Sequence, residues 1–235
     1  MAISACVRQQ APTTSRCHYE VVVSDPQRAE LTVDAQCNGN VTAFRAAEPA
    51  MARHITAARD GQGNALATHG DRIELAGAQA KLQYRFSLDD VARQARDVDV
   101  AKRSADASGR QGWIAAISTF LLTPQPVPAD ATVTFRVSGS PFVSGVARGA
   151  DGMHRLAAGD IAIGTYGVFG DFDRERVRLP PAAVLEVVTL PGHFEASRTL
   201  RHDWIRDGAL AIGRFYRGFP VERAVLIVIA EPGHR

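Results

Sequence analysis

From His18 to about Leu190, short runs of alternating apolar and polar residues are separated by turn residues, a period of two that predicts consecutive β-strands. The first pair is the clearest. His18–Val23 and Ala29–Asp34 flank a turn at Asp25-Pro26-Gln27-Arg28. Pairing them about Gln27 sets Tyr19 against Ala35, Val21 against Val33 and Val23 against Leu31 on an apolar face. His18 with Gln36, Glu20 with Asp34 and Val22 with Thr32 then share the opposite, mostly polar face, as a half-buried antiparallel pair requires. Further strands are expected at Val41–Arg45, His54–Arg59, Ala65–Thr68 and Arg72–Leu75, with turns at Asp60-Gly61-Gln62-Gly63 and His69-Gly70-Asp71. Lys81–Phe86 places Leu82, Tyr84 and Phe86 on one face, and Ser87 caps a short helix to about Arg96. Asp97–Gly112 is polar and reads as a long exposed loop; Trp113–Leu122 is apolar and is expected to end as a strand, closed by Thr123-Pro124-Gln125-Pro126. Thr132–Val137 turns Val133, Phe135 and Val137 inward. Phe142–Val146, Ile161–Ile163, Tyr166–Phe169 and the longer Ala183–Leu190 complete the strand candidates.

Past Pro191-Gly192 the period changes to about 3.6. Between Thr199 and Arg217, Leu200, Trp204, Ala211 or Ile212, and Phe215 fall on one helical face and Arg201, Asp207 and Arg214 on the other, before Gly218-Phe219-Pro220 breaks the pattern. Ala224–Ala230 is then apolar at all seven positions, the mark of a strand covered on both faces inside a parallel α/β sheet. The predicted organisation is a tail at 1–16, a mainly β, antiparallel sandwich-like domain at 17–192, and a helix plus strand at 193–235 that look like the start of a second, truncated α/β domain.

Composition adds limits. The 235 residues can bury a sizeable core, and a net charge of +2 with no cationic run gives no reason to expect nucleic acid as a partner. Lys81 and Lys102 are the two lysines among the 27 basic residues, an arginine bias that suggests a GC-rich bacterial genome. No stretch approaches the roughly 18–20 apolar residues of a membrane-spanning helix. Ile3-Ser4-Ala5-Cys6 has the small-residue pattern of a bacterial lipoprotein cleavage site, in which Cys6 would be lipidated and tether the protein to a membrane. The alternative is an ordinary cysteine in a polar tail. The hairpin register places Cys17 opposite Cys37, so the pair is expected as a cross-strand disulfide, the other possibility being two reduced buried thiols. A disulfide implies an oxidising compartment, and with the Cys6 pattern a periplasmic or outer-membrane-associated location.

Chemistry-bearing patterns are weak. None of the seven histidines (His18, His54, His69, His154, His193, His202, His234) forms an H-E-x-x-H pair, and His202-Asp203 reads as a solvated first helical turn. Ser138-Gly139-Ser140 and Ser144-Gly145 lack a nucleophile elbow. Gly164–Gly170 fits neither a P-loop nor a dinucleotide fingerprint and reads as turn glycines. Asp171, Asp173 and Glu175 lack the other marks of a calcium loop and read as an exposed acidic turn. Trp113, Phe120, Tyr166 and Phe169 line either a ligand groove or the core. No catalytic, cofactor-binding or metal-ligating residue is therefore assigned.

Several segments in order nevertheless carry a resemblance. Leu82–Leu88, Ser118–Pro124, Phe135-Arg136-Val137, Tyr166–Gly170 and above all Gly213-Arg214-Phe215-Tyr216-Arg217-Gly218-Phe219-Pro220-Val221, with the apolar strand after it, are similar to one bacterial group. They resemble the region upstream of the zinc motif in glycyl-aminopeptidase-type gluzincin metallopeptidases and their bacterial relatives, from about Leu82 to Arg235. The resemblance implies a β-rich N-terminal domain ahead of a thermolysin-like catalytic domain, with Leu200–Tyr216 and Arg223–Ala230 as that domain's first helix and strand. It further implies that zinc is bound by a later H-E-x-x-H helix and that the partner of this chain is a downstream catalytic domain. A second copy of the chain is the other partner considered. The rival reading is a free-standing periplasmic β-sandwich module for ligand binding or protein interaction, lipid-anchored through Cys6.

Overall fold

The computed structural model describes residues 16–75, 80–94, 101–127, 131–162 and 165–230. Numbered in chain order, the strands among the described residues form four sheets. The largest has six strands in the order β13 (His154–Ala157), β11 (Thr132–Ser138), β1 (Arg16–Asp25), β2 (Glu30–Cys37), β7 (Ala80–Ser87) and β4 (Ile55–Asp60). A small sheet holds β10 (Thr123–Gln125), β3 (Ala43–Arg45), β6 (Arg72–Glu74) and β5 (Thr68–His69). A third holds β12 (Phe142–Ser144), β14 (Tyr166–Gly170), β9 (Gln111–Ala116) and β8 (Ala101–Ala105). The fourth holds β15 (Asp173–Leu179), β16 (Ala183–Thr189) and β17 (Arg223–Val228). Among the described residues, four helices, α1 (Pro49–Ala52), α2 (Leu88–Gln94), α3 (Ile117–Phe120) and α4 (Arg198–Phe215), and one 3-10 turn (Ala158–Ala162) connect them.

The fold is mainly β, with antiparallel sheets and a final helix and strand, as the periodicity implies. The hairpin register is the one read from the sequence, with Tyr19 paired to Ala35, Val21 to Val33, Val23 to Leu31 and Cys17 to Cys37. β7 continues the apolar face by pairing Phe86, Tyr84 and Leu82 with Leu31, Val33 and Ala35. Within the six-stranded sheet one pairing departs from the antiparallel plan: β11 runs parallel to β1, setting Phe135 beside Tyr19.

The layers follow from which face each strand buries. The six-stranded sheet and the small sheet share one core with one face of the third, through Tyr19, Tyr84, Phe44, Trp113, Ala115 and Phe169. The other face of the third sheet, Ile114, Val143 and Val168, packs on Val188 and Leu190 and on β17 residues Val225 and Ile227. The fourth sheet turns Val177, Leu179, Leu185 and Val187 the opposite way, onto Ile205 and Ala209 of α4. β16 and β17 are parallel, so β16–α4–β17 is a βαβ unit resting on the β domain.

Four expectations need correction. The polar stretch before Gly112 is not one long loop where it is described: β8 pairs with β9 around a short turn at 106–110, and the buried positions of β8 are Ala101 and Ser104, too small to give an apolar signal. Residues 95–100 lie outside the described residues. Trp113–Leu122 does not end as a strand; β9 stops at Ala116 and a single helical turn follows, because a run buried on every side carries no period. Ile161 belongs to the 3-10 turn, Ile163 lies outside the described residues, and Asp173–Leu179 is a strand rather than an acidic turn.

Two tyrosines fasten the core. Tyr19 donates to the Leu122 carbonyl and Tyr84 to the Phe120 carbonyl, each at 2.6 Å, tying the six-stranded sheet to the irregular backbone after α3. Burial holds both phenols well above the ordinary tyrosine pKa, so they remain donors. Tyr84→Phe leaves a buried carbonyl without its partner, and a loss of about 1–3 kcal/mol in urea unfolding is expected, with an unchanged fold by circular dichroism. Reducing the Cys17–Cys37 disulfide, which spans 20 residues, should lower stability by about 2–4 kcal/mol in the same assay.

Candidate functional site

Side chains with catalytic potential are scattered, and each has a local structural partner or faces solvent. His18 meets Glu20 at 2.8 Å and Thr134 at 3.0 Å on the outer face of the six-stranded sheet. His154 is buried, stacks on Phe135 at 4.7 Å and contacts the Val146 carbonyl through Nδ1 at 2.9 Å. His202 faces Asp203 at 3.5 Å in the second turn of α4 rather than the first, and His193 is exposed. Among the described residues no group of three or more His, Cys, Asp or Glu is placed to hold a metal ion.

The other sequence candidates resolve into structure. Asp171 accepts from the Gln111 amide, Asp173 pairs with Arg110 at 3.0 Å and Glu175 with Arg198 at 2.5 Å, so the three carboxylates have separate partners. Trp113, Phe120 and Phe169 are fully buried core residues rather than a groove, while Tyr166 is half-buried. Gly167 lies under the Phe142 ring, which a β-carbon would strike at 2.6 Å. Ser144 Oγ donates to the Tyr166 carbonyl and accepts from the Val146 amide, both at 3.1 Å. Cys17 and Cys37 form the disulfide. Cys6 lies outside the described residues, and so does His234.

The site with the most convergent chemistry joins the β domain to the βαβ unit. Glu186, 2% exposed in the middle of apolar β16, accepts from Arg174 on β15 and from Arg223 on β17, the latter at 2.8 Å. Arg223 also donates to the carbonyl of Ser144 on β12 at 3.0 Å. One carboxylate thus fixes the order of the fourth sheet and its seat on the third. Burial opposes the charged form, and the two guanidinium hydrogen bonds overcome it, leaving the Glu186 pKa below its ordinary value. A lone glutamate within Ala183–Leu190 was the sequence signal for this clamp; nothing in the sequence named its partners.

A groove of about 530 Å³ runs between the C-terminal half of α4 and the turn after β15, lined by Leu179, Pro181, Leu210, Gly213, Arg214 and Arg217. Among the described residues its lining holds no nucleophile or general base. A polar cleft of about 360 Å³ is lined by His54, Arg53, Arg85, Glu30 and Asp90, which mix both signs of charge. No described helix is long and apolar enough to cross a membrane.

No protein-family model and no curated protein matches the chain. Among solved structures it is similar to the crystal structure of an aminopeptidase N family protein from Idiomarina loihiensis, with a TM-score of 0.68 and 12% identity over 91% of this chain. The match covers 39% of that protein, so this chain spans well under half of its length. At this identity the likeness is one of fold.

The clamp makes stability acid-sensitive. His154 has a lowered pKa, chiefly through burial, so stability should begin to fall as pH drops below its ordinary value of 6.5. Glu186 contributes above its unfolded pKa of 4.5, and its share is lost as pH falls through the lower folded value. Glu186→Gln should flatten that lower phase in urea midpoints measured from pH 7 to 3. Arg223→Ala should cost about 1–3 kcal/mol at pH 7. An unchanged acid profile in Glu186→Gln would show the clamp to be inert.

Proposed function

We propose that this chain is the non-catalytic N-terminal region of an exported zinc aminopeptidase-like protein, and that its β domain supports a catalytic domain supplied by further polypeptide. The observation that carries the reading is the shared fold over nearly the whole of this chain and a minority of an aminopeptidase N family protein. The resemblance of Gly213–Val221 and its neighbours to the segment ahead of a gluzincin zinc motif supports the same reading. The described residues do not fit a zinc site, so no catalytic step is assigned to them; zinc in the further domain would supply Lewis-acid activation of a carbonyl and of water.

The role of the β domain is mechanical. Sheets packed face to face, with Tyr19, Tyr84 and Glu186 fixing their relative positions, form a rigid wall on which the βαβ unit rests. A cleft completed by another domain is held in place by such a wall. The Cys17–Cys37 disulfide supports export, since disulfides persist in oxidising compartments. A periplasmic or outer-membrane-associated location, with a tether at Cys6, belongs to the same proposal.

The test is to read the coding DNA in frame beyond Arg235 and to express both products. The longer product is expected to contain H-E-x-x-H and to hydrolyse aminoacyl amides in a chelator-sensitive way, while the 235-residue chain with added zinc does not. A stop codon directly after Arg235, or metal-dependent turnover by the short chain, would overturn the reading.

A further inference from the structure

α4 turns its largest apolar side chains to solvent. Trp204 is 77% exposed, Phe215 80% and Leu200 62%, whereas the residues it buries against the fourth sheet are Ile205 and Ala209. The apolar face read from the sequence is therefore not the face on which this helix packs. At about 100° and 1.5 Å per residue, Leu200, Trp204, Gly208, Ala211 and Phe215 form one stripe about 22 Å long, turned roughly 120° from Ile205 and Ala209. Single exposed apolar residues are ordinary, but a continuous aromatic-bearing stripe marks an interaction surface.

Two observations on the same βαβ unit bear on what covers it. A β-carbon on Gly208 would meet nothing within 4 Å, so no contact within the described chain calls for glycine there. Glycine in mid-helix costs about 1 kcal/mol relative to alanine, and it permits close approach by a backbone from outside. The second observation is the sheet edge. β17 pairs only with β16 among the described residues, and Leu226, on the side of β17 that carries Ala224 and Val228 toward α4, is 37% exposed.

Parallel crossovers are right-handed in nearly all cases. A next strand added to the free edge of β17 through another crossover would bring its helix to the face that α4 occupies. The polypeptide after β17 can therefore cover Leu226 and lie along α4. The match to only 39% of a longer protein of the same fold leaves chain enough for this.

We propose that the Leu200–Trp204–Phe215 stripe of α4 is the seat of the polypeptide that follows β17, which packs along it as a helix at Gly208. The inference rests on the proposed function, since it needs the further domain, and adds the surface on which that domain docks.

The chain has two tryptophans, and Trp113 is buried, so Trp204 is a selective reporter. In the 235-residue protein, acrylamide should quench a red-shifted emission that Trp204→Phe removes. In the longer gene product that component should be blue-shifted and protected. Trp204→Asp should leave the melting temperature of the short chain unchanged and lower that of the longer product. The inference is overturned if Trp204 stays quenchable in a longer product that retains zinc-dependent activity, an outcome that leaves the proposed function standing. It is also overturned if the short chain forms dimers that protect Trp204 and persist in the longer product, which would make a second copy the occupant. A stop codon after Arg235 removes both readings.

Discussion

The third sheet is buried on both faces, and the rest of the architecture depends on that constraint. Trp113, Ala115 and Phe169 face the core shared with the six-stranded sheet, while Ile114 and Val168 face the fourth sheet and β17. Such a sheet cannot alternate apolar with polar residues, so Gly112 to Ile117 are all buried. Each fully buried large side chain contributes on the order of 1.5–3 kcal/mol. The cost is that polar groups in these layers must find partners inside the protein.

Among the described residues the buried Gln111 Oε1 lacks a hydrogen-bond partner, but the polar groups at the seams between layers meet that requirement. Tyr19 and Tyr84 reach from one sheet to the carbonyls of Leu122 and Phe120, where the backbone leaves regular structure. Asp89, buried in the first turn of α2, accepts from the Trp113 indole at 3.4 Å and pairs with Arg93 at 3.0 Å. Ser104 at the edge of the third sheet donates to the Pro191 carbonyl, where the chain leaves β16 for α4. Glu186 does the same work between the third and fourth sheets with two arginines. Apolar contact alone would let sheets slide; directional bonds at each seam select one alignment.

Among the described residues, groups with chemical potential lie apart from one another. Histidines, serines and carboxylates are present, yet they serve as caps, clamps and turn ligands at separate places. Among the described residues, the βαβ unit has an unpaired sheet edge at β17 and an aromatic helix face turned outward. The fold is shared with part of an aminopeptidase N family protein.

Much of this was legible in the residues. Alternation fixed the β1–β2 register, and the register alone brought Cys17 to Cys37. The switch to a 3.6 period located α4, and the unbroken apolar run located a strand that pairs in parallel. These features are local, set by backbone geometry that repeats every two or 3.6 residues. Where burial came from two sides, as at Trp113–Leu122, or where small residues filled the inward positions, as in β8, the period vanished and the reading failed. The sequence by itself determined the β1–β2 register that sets Cys17 opposite Cys37, several of the strands, and the final helix and strand. Only the tertiary structure decided which partners Glu186 has, which sheet is covered twice and that the Trp204 face of α4 points outward. Those depend on contacts between residues far apart in the chain, which no local period encodes.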